Sequence, residues 1–168
     1  PKVLTLGTTE IRTRDYVALR VETDSGLAGE ALGYTRGTPL FDSLEMTGHR
    51  VLGRDPLMRT ELVTFLENSN VPGRAAFPRA LSLLDIACWD ILAKSVEMPL
   101  YRLLGGLRTE IGATAVAGYY MNLRTIPDIV DEVARLFDCG HSRVKIMLDG
   151  NDAAFDRKYL AAVTERSA

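Results

Sequence analysis

The chain has few of the residues from which metal and redox sites are built, with two cysteines and two histidines among 168 residues. Cys88 and Cys139 are far apart and fit neither a CxxC nor a Cys/His ligand spacing, so we interpret both as small core residues of a reduced protein. His49 and His141 have no second histidine or acid at ligand spacing, which favours surface positions for both. The sequence therefore predicts neither a disulfide framework nor a metal site among these residues.

An excess of charge of either sign is also missing, and so are long apolar runs. The net charge of −2 comes without a basic cluster interleaved with aromatic residues, so no nucleic-acid partner is expected. No apolar run reaches the roughly 18 residues that a membrane-spanning helix needs. Residues 1–15 lack the basic start and unbroken apolar core of a signal peptide. We therefore expect a cytoplasmic protein with no membrane partner and, in the absence of a GxGxxG or Walker pattern, no nucleotide loop.

The composition is that of an ordinary globular protein, with 46% hydrophobic and 25% charged residues. These shares supply enough apolar material for a core. The length suits one domain, or one domain and a piece of another.

The first part of the chain shows strand patterns followed by helix patterns. Apolar and polar residues alternate from Tyr16 to Thr23, and turn residues then precede a second apolar stretch, which predicts a hairpin. Thr-Pro and Asp-Pro pairs further on predict helix starts. The predicted elements are strands over 16–23 and 27–32, a further strand before residue 16, a loop over 33–37, helices starting at 38 and 55, a loop over 68–74 and a long helix over 78–96. This order indicates an α+β domain, an antiparallel meander plus helices, over residues 1–108.

After Gly106 the pattern changes to alternating strands and helices. The predicted elements are a strand over 111–117, a helix over 127–139, a strand over 143–148 and a helix over 153–166. This βαβα order is the repeating unit of a parallel α/β fold. A complete (β/α) barrel takes about 250 residues, and only two of its eight units are predicted here.

The run from Arg79 to Gly106, RALSLLDIACWDILAKSVEMPLYRLLGG, is the most informative stretch. It predicts a helix that is apolar around its circumference and that neighbouring elements must bury. We interpret Asp85 and Asp90 as structural, because an unpaired buried carboxylate is costly, and Asp90 is spaced to pair with Lys94. The run LDIACWDILAK followed by PLYRLLGG resembles the mandelate racemase and muconate-lactonizing enzyme group of the enolase superfamily.

That resemblance covers nearly the whole chain. It implies an N-terminal capping domain over residues 1–108 and, over residues 109–168, the first two β/α units of a TIM-type barrel that is incomplete here. It also implies a Mg2+-dependent racemase or dehydratase of sugar acids or other 2-hydroxy carboxylates, which removes the α-proton to form an enediolate. The metal ligands would come from later barrel strands that this chain does not contain.

The resemblance further implies a small-molecule carboxylate substrate and a homo-oligomer, such as a dimer or an octamer. Two alternatives remain open at this point. One is a truncated, non-catalytic capping or assembly fragment, and the other is a cycloisomerase or epimerase of the same superfamily.

The strand over 143–148 is the place where chemistry is expected. Alternation places Val144 and Ile146 on one face and Lys145 and Met147 on the other. The resembling families carry Lys-x-Lys on this strand, and the second lysine is the base. Here the match is Lys145-Ile146-Met147, so Lys145 is the catalytic candidate and the usual base is absent. The alternative is that Lys145 is a solvated strand residue.

Two loops carry candidate substrate contacts. Tyr34 and Arg36 lie in the loop that, by resemblance, closes over the barrel mouth, and a guanidinium suits a carboxylate. Tyr119, Tyr120 and Asn122 follow the first barrel-like strand, where substrate loops form. The alternatives are packing for the tyrosines and simple solvation for Arg36.

Overall fold

A computed structural model describes residues 3–6, 9–69 and 76–167 of the chain. The secondary-structure elements in these ranges are, in chain order, β1 Leu4–Leu6, β2 Thr9–Ile11, β3 Tyr16–Glu22, β4 Ala28–Tyr34, α1 Leu40–Val51, α2 Arg59–Asn68, α3 Phe77–Ser95, α4 Leu100–Leu103, β5 Ala115–Ala117, a 3-10 helix at Met121–Leu123, α5 Ile126–Asp138, β6 Val144–Ile146 and α6 Ala153–Ser167. They form two compact units. One is Arg14–Leu107, and the other combines Pro1–Thr13 with Arg108–Ala168.

The unit Arg14–Leu107 is an antiparallel hairpin packed on helices. β3 and β4 pair from Tyr16 with Tyr34 to Glu22 with Ala28, as the alternation predicts. The inward side chains of β3 pack against α1, α2 and α3, while the outward side chains are exposed. The buried residues form two clusters: Leu40, Leu44, Ala76, Ala80 and Leu83, and Leu62, Leu66, Leu84 and Cys88. Antiparallel strands plus helices confirm the predicted α+β class of this unit.

Polar contacts hold α3 against the hairpin. The Asp90 carboxylate accepts hydrogen bonds from the backbone N–H of Glu30 at 3.0 Å and from Lys94 Nζ at 2.7 Å. Lys94 Nζ also donates to the Ala28 carbonyl at 2.7 Å. The predicted Asp90–Lys94 pair is therefore confirmed, and it ties the last turns of α3 to the start of β4.

A second polar cluster joins α2 to α3. Arg59 Nη2 donates to Asp85 Oδ1 at 2.6 Å, and the guanidinium carbon lies 3.8 Å from the centroid of a Trp89 ring. Both partners of the ion pair are mostly buried, with side-chain exposures of 21% and 28%. Asp85 therefore has a partner, which agrees with the structural role expected for it.

The second unit contains a parallel strand pair covered by two helices. β5 and β6 pair from Ala115 with Val144 to Ala117 with Ile146. α5 begins at a capping box in which Thr125 and Asp128 exchange side-chain and backbone hydrogen bonds. The buried core residues are Ala117, Ile129, Val133, Tyr159 and Val163. The strand–helix–strand–helix order is the one predicted for residues 109–168, and the barrel itself stays a prediction.

The segment before Tyr16 differs from the prediction. It contains two short strands, β1 and β2, that pair with each other, whereas one further strand was predicted to complete a meander. Within the described residues, β3 pairs with β4 alone. The meander is thus replaced by two separate hairpins, with the exposed stretch 12–15 between them.

Several element boundaries also differ. The helix predicted from residue 55 begins at Arg59, because Asp55 Oδ1 accepts the N–H of Leu57 at 2.8 Å and so forms a turn ahead of the helix. The strand predicted over 111–117 is limited to its last three residues, which are those that pair with β6. Most of the predicted loop over 68–74 lies outside the described residues, and α2 ends at Asn68.

Candidate functional site

The two parallel strands have one face packed against helices and one face with exposed side chains. Val144 and Ile146 pack against the buried cluster of α5 and α6. Lys145 lies between them, is exposed and therefore projects from the opposite face of the sheet. Val116, which pairs with Lys145 across the strands, is exposed on that face as well. The structure thus places Lys145 on the sheet face opposite α5 and α6.

The carboxyl ends of β5 and β6 meet closely at Gly118 and Met147. The N–H of Met147 donates to the Ala117 carbonyl at 3.0 Å. A Cβ atom at Gly118 would lie 2.9 Å from the Tyr159 hydroxyl and 3.3 Å from both the N and O atoms of Met147. Since Gly118 also has a φ of +83°, only glycine fits this position. Met147 is half-buried and offers no group that accepts a proton.

The loop after β5 carries the candidate substrate residues. Tyr119 is half-buried, and Tyr120 is 37% exposed with a φ of +61°, the left-handed region that is unfavourable for a side chain of its size. Asn122 lies in the 3-10 helix Met121–Leu123, and its side chain lies outside the described part of the chain. The loop thus carries two tyrosines directly after the carboxyl end of β5.

Arg124 and Glu132 connect this loop to α5, and neither was among the site residues predicted from the sequence. Glu132 Oε2 accepts hydrogen bonds from Arg124 Nη1 at 2.7 Å and from the backbone N–H of Gly118 at 3.1 Å. Arg124 also donates to the Tyr119 carbonyl at 3.4 Å and to the Asp128 carbonyl at 2.9 Å. A signal that could have pointed to this region is the Thr125-x-x-Asp128 pattern, which marks the helix start beside Arg124.

The electrostatics of this network favour an ionised carboxylate. Partial burial would raise the pKa of Glu132, but the hydrogen bonds from Gly118 and Arg124 outweigh it and keep that pKa below its usual value. Burial raises the pKa of the nearby Tyr159 phenol, and the negative charge of Glu132 adds to this effect. The Tyr159 hydroxyl is buried and has no hydrogen-bond partner among the described residues.

Tyr34 and Arg36 belong to the other compact unit, Arg14–Leu107. Tyr34 is the last residue of β4, and its ring centroid lies 5.3 Å from that of Tyr16. Arg36 is exposed and has a left-handed φ of +52°. Arg79 Nη1 donates to the Thr35 carbonyl at 2.9 Å and so anchors the loop that carries both candidates.

A groove of about 490 Å³ in the same unit contains none of the candidate residues. It lies between the β3–β4 turn and the α1–α2 connection, with Cys88 on its floor. Burial raises the pKa of Cys88 to about 11, so its thiol is protonated near neutral pH and is a poor nucleophile.

The described residues contain no group of three or more His, Cys, Asp or Glu side chains placed to hold a metal ion. No helix among them combines the length and apolar character that crossing a membrane requires.

Residues 1–105 match the family model for the mandelate racemase / muconate lactonizing enzyme N-terminal domain. A D-mannonate dehydratase of Rhizorhabdus wittichii is 32% identical over 136 residues, which are 79% of this chain and 33% of that protein. The crystal structure of L-talarate dehydratase from Polaromonas sp. JS666, complexed with Mg and L-glucarate, matches with a TM-score of 0.82 and 22% identity over 99% of this chain and 46% of that one. The N-succinyl Arg/Lys racemase of Bacillus cereus matches with a TM-score of 0.82 and 23% identity over 99% and 45%.

The chain therefore belongs to the mandelate racemase and muconate-lactonizing enzyme family of the enolase superfamily, and the resemblance noted in the sequence is confirmed. It spans between 33% and 46% of the length of these three proteins. The fold of the N-terminal capping domain is that of the family.

Proposed function

We propose that the intact protein is a dehydratase or racemase that removes the α-proton of a sugar acid or other 2-hydroxy carboxylate. In this proposal residues 109–168 begin a (β/α) barrel, and Lys145 points into its interior. The observation that carries the proposal is the position of Lys145, exposed on the sheet face opposite α5 and α6. In a barrel the helices cover the outside, so the opposite face is the interior.

The proposed role of Lys145 is electrostatic. An ammonium group held on a strand is well placed to stabilise negative charge that develops when a proton leaves the carbon next to a carboxylate. Met147 occupies the position of the usual second lysine, and its thioether cannot take that proton. The base would therefore come from a part of the barrel that this chain does not contain.

The loop residues fit a polyhydroxylated acid. Phenol groups such as those of Tyr119 and Tyr120 can donate and accept hydrogen bonds with sugar hydroxyls, and an arginine such as Arg36 can bind a carboxylate with two hydrogen bonds. We include Tyr34 and Asn122 in the same proposed contact set. The names of two relatives, a mannonate dehydratase and a talarate dehydratase bound to glucarate, support acid sugars as the substrate class and favour dehydration.

The family relationship implies magnesium, and one of the similar crystal structures contains it. The described residues supply no ligand set for the ion. The roles proposed for this chain are accordingly limited to what its own side chains can do.

The test is Lys145→Gln in the full-length protein, assayed with magnesium on D-mannonate, L-talarate and L-glucarate. Product formation and exchange of the substrate α-proton in D2O are both measured. We expect a loss of about 100- to 10,000-fold in kcat, the range for removal of a group that acts in the transition state. Lys158→Gln, which changes an exposed lysine on α6, is the matched control and should retain wild-type rates. Equal rates in the two variants would contradict the role of Lys145.

A further inference from the structure

We propose that Arg124 and Glu132 are positioning residues that hold the loop of residues 118–123 in its substrate-binding conformation. This inference rests on the proposed function, because the loop carries Tyr119 and Tyr120. It assigns a role to two residues on the helix side of the loop, neither of which needs to touch the substrate.

The first support is the geometry of the pair. The Glu132 carboxylate accepts from Gly118 N at 3.1 Å, directly after β5, and from Arg124 Nη1 at 2.7 Å. The Arg124 guanidinium then reaches back to the Tyr119 carbonyl at 3.4 Å and forward to the Asp128 carbonyl at 2.9 Å. Two side chains thus engage both ends of the turn that leads into Tyr120.

The second support is that this loop needs external contacts to keep its shape. Tyr120 has a left-handed φ of +61°, which a tyrosine rarely adopts unless the surroundings enforce it. Glu132 comes from a rigid part of α5, because Ile129 and Val133 on either side of it are fully buried. The ion pair therefore holds the strained turn against a rigid part of α5.

The third support is the burial of the pair. The side chains of Arg124 and Glu132 are 23% and 31% exposed, so solvent screens their attraction less than that of a surface pair. Burial raises the pKa of Glu132, but the hydrogen bonds from Gly118 and Arg124 outweigh it and lower that pKa, so they favour the charged form that pairs with Arg124. An uncharged residue at position 132 would weaken two interactions at once, the ion pair with Arg124 and the hydrogen bond from the N–H of Gly118.

The chain contains a matched control pair. Arg59 and Asp85 lie 2.6 Å apart with side-chain exposures of 21% and 28%, close to the values of the proposed pair. They join α2 to α3 and have no hydrogen bond to a candidate substrate loop in the described residues. Substitution of Asp85 therefore measures how far the loss of a comparable ion pair changes KM and loop exchange by destabilisation alone.

The experiment compares Glu132→Gln, Arg124→Met and Asp85→Asn in the full-length enzyme with magnesium. Kinetics are measured on whichever of D-mannonate, L-talarate and L-glucarate the wild type converts best. Amide hydrogen exchange is measured for the peptide that contains residues 118–123. We expect KM to rise about 10- to 100-fold in both loop variants, with a smaller fall in kcat and faster exchange at residues 118–123. Asp85→Asn should lower the melting temperature but leave KM and the loop exchange unchanged.

An unchanged KM in Glu132→Gln and Arg124→Met would overturn the positioning role, and so would an equal rise in Asp85→Asn. Exchange at 118–123 that stays at the wild-type level in both loop variants would also overturn it, because the pair would then not hold the loop. Failure of the wild-type enzyme to convert or exchange any of the acids would instead overturn the proposed function. That failure is visible before any variant is made.

Discussion

Gly29 lies directly against the backbone of Ala87, so that a Cβ atom on Gly29 would overlap the Ala87 carbonyl oxygen and lie 2.8 Å from Ile91 Cγ1. This close approach lets the backbone of β4 pack directly against the backbone of α3. A glycine inside a strand often marks such a contact between two backbones. Here it brings the strand near enough for Asp90 and Lys94 to reach the backbone of β4.

We predict that Gly29→Ala destabilises the protein by about 3 kcal/mol or more, because neither the helix backbone nor the strand can yield without loss of packing. Thermal unfolding measures the effect. Gly48→Ala is the matched control, since Gly48 lies inside α1 and an added Cβ meets no atom within 4 Å. The control should gain about 0.5–1 kcal/mol from helix propensity. A small effect at Gly29 would show that β4 does not pack so closely on α3.

The Asp90 carboxylate should make stability depend on acid pH. The hydrogen bond from Lys94 lowers the pKa of Asp90, burial partly opposes this, and the hydrogen bond from the N–H of Glu30 adds to the lowering. An unfolded aspartate has a pKa of about 3.9. The stabilisation from Asp90 is therefore fully present above that pH and is lost as the pH falls through the lower pKa of Asp90 in the folded protein.

Asp90→Asn should therefore cost about 1–2 kcal/mol at pH 7, a figure that allows for the partial exposure of the pair. Its difference from the wild type should shrink below about pH 4. Urea unfolding at pH 7 and pH 3 checks both statements. Glu67→Gln, which removes a carboxylate from an exposed part of α2, is the matched control. A constant difference at both pH values would mean that the Asp90 charge does not contribute.

Met147→Lys tests whether position 147 faces the substrate. A lysine there would restore the Lys-x-Lys pair of the resembling families. We expect exchange of the substrate α-proton in D2O to rise by about tenfold or more in the full-length enzyme, because a positioned base is added. Met147→Leu keeps the size and apolar character of methionine and should not raise the exchange. No response to lysine would mean that the side chain at 147 points away from the substrate.

Substitution of Arg36 by glycine should raise KM without lowering the stability of the protein. A glycine relieves the cost of a left-handed backbone, so Arg36→Gly should leave stability equal or raise it by up to about 1 kcal/mol. Loss of the guanidinium should at the same time raise KM for an acid sugar about tenfold or more. Glu97 has a similar φ of +49° beyond the end of α3, and Glu97→Gly should gain stability without a change in KM. Unchanged KM in Arg36→Gly would leave Arg36 as a solvated loop residue.

The fold elements that the sequence predicted well are those that local forces determine. Alternation predicted β3, apolar residues around the whole circumference predicted α3, and i,i+4 spacing predicted the Asp90–Lys94 pair. The start of α2 was wrong by a few residues, because Asp55 forms a turn that competes with the helix start predicted from Asp-Pro. One strand before Tyr16 was predicted as part of a meander, whereas two strands there pair with each other, since a sequence pattern shows strands but not their partners.

The candidate site was predictable only where a family motif marks it. Lys145 and Met147 were found through the Lys-x-Lys match, and their substrate roles stay predictions. Arg124 and Glu132 are eight residues apart and have no shared motif, so only the folded loop shows that they pair with each other and that Glu132 accepts from Gly118. The stacking of Arg59 on Trp89 joins two helices and was equally invisible in the sequence.

The sequence by itself determined the order and type of the main elements, because propensity and periodicity act between residues that are close in the chain. It also determined the family, because a continuous run of 28 residues in α3 and α4 carries the family pattern. The tertiary structure decided which strands pair, which glycine admits a neighbouring backbone and which ion pair holds the loop at residues 118–123. Each of these depends on atoms that are distant in the chain, and their contacts form only when packing brings the elements together.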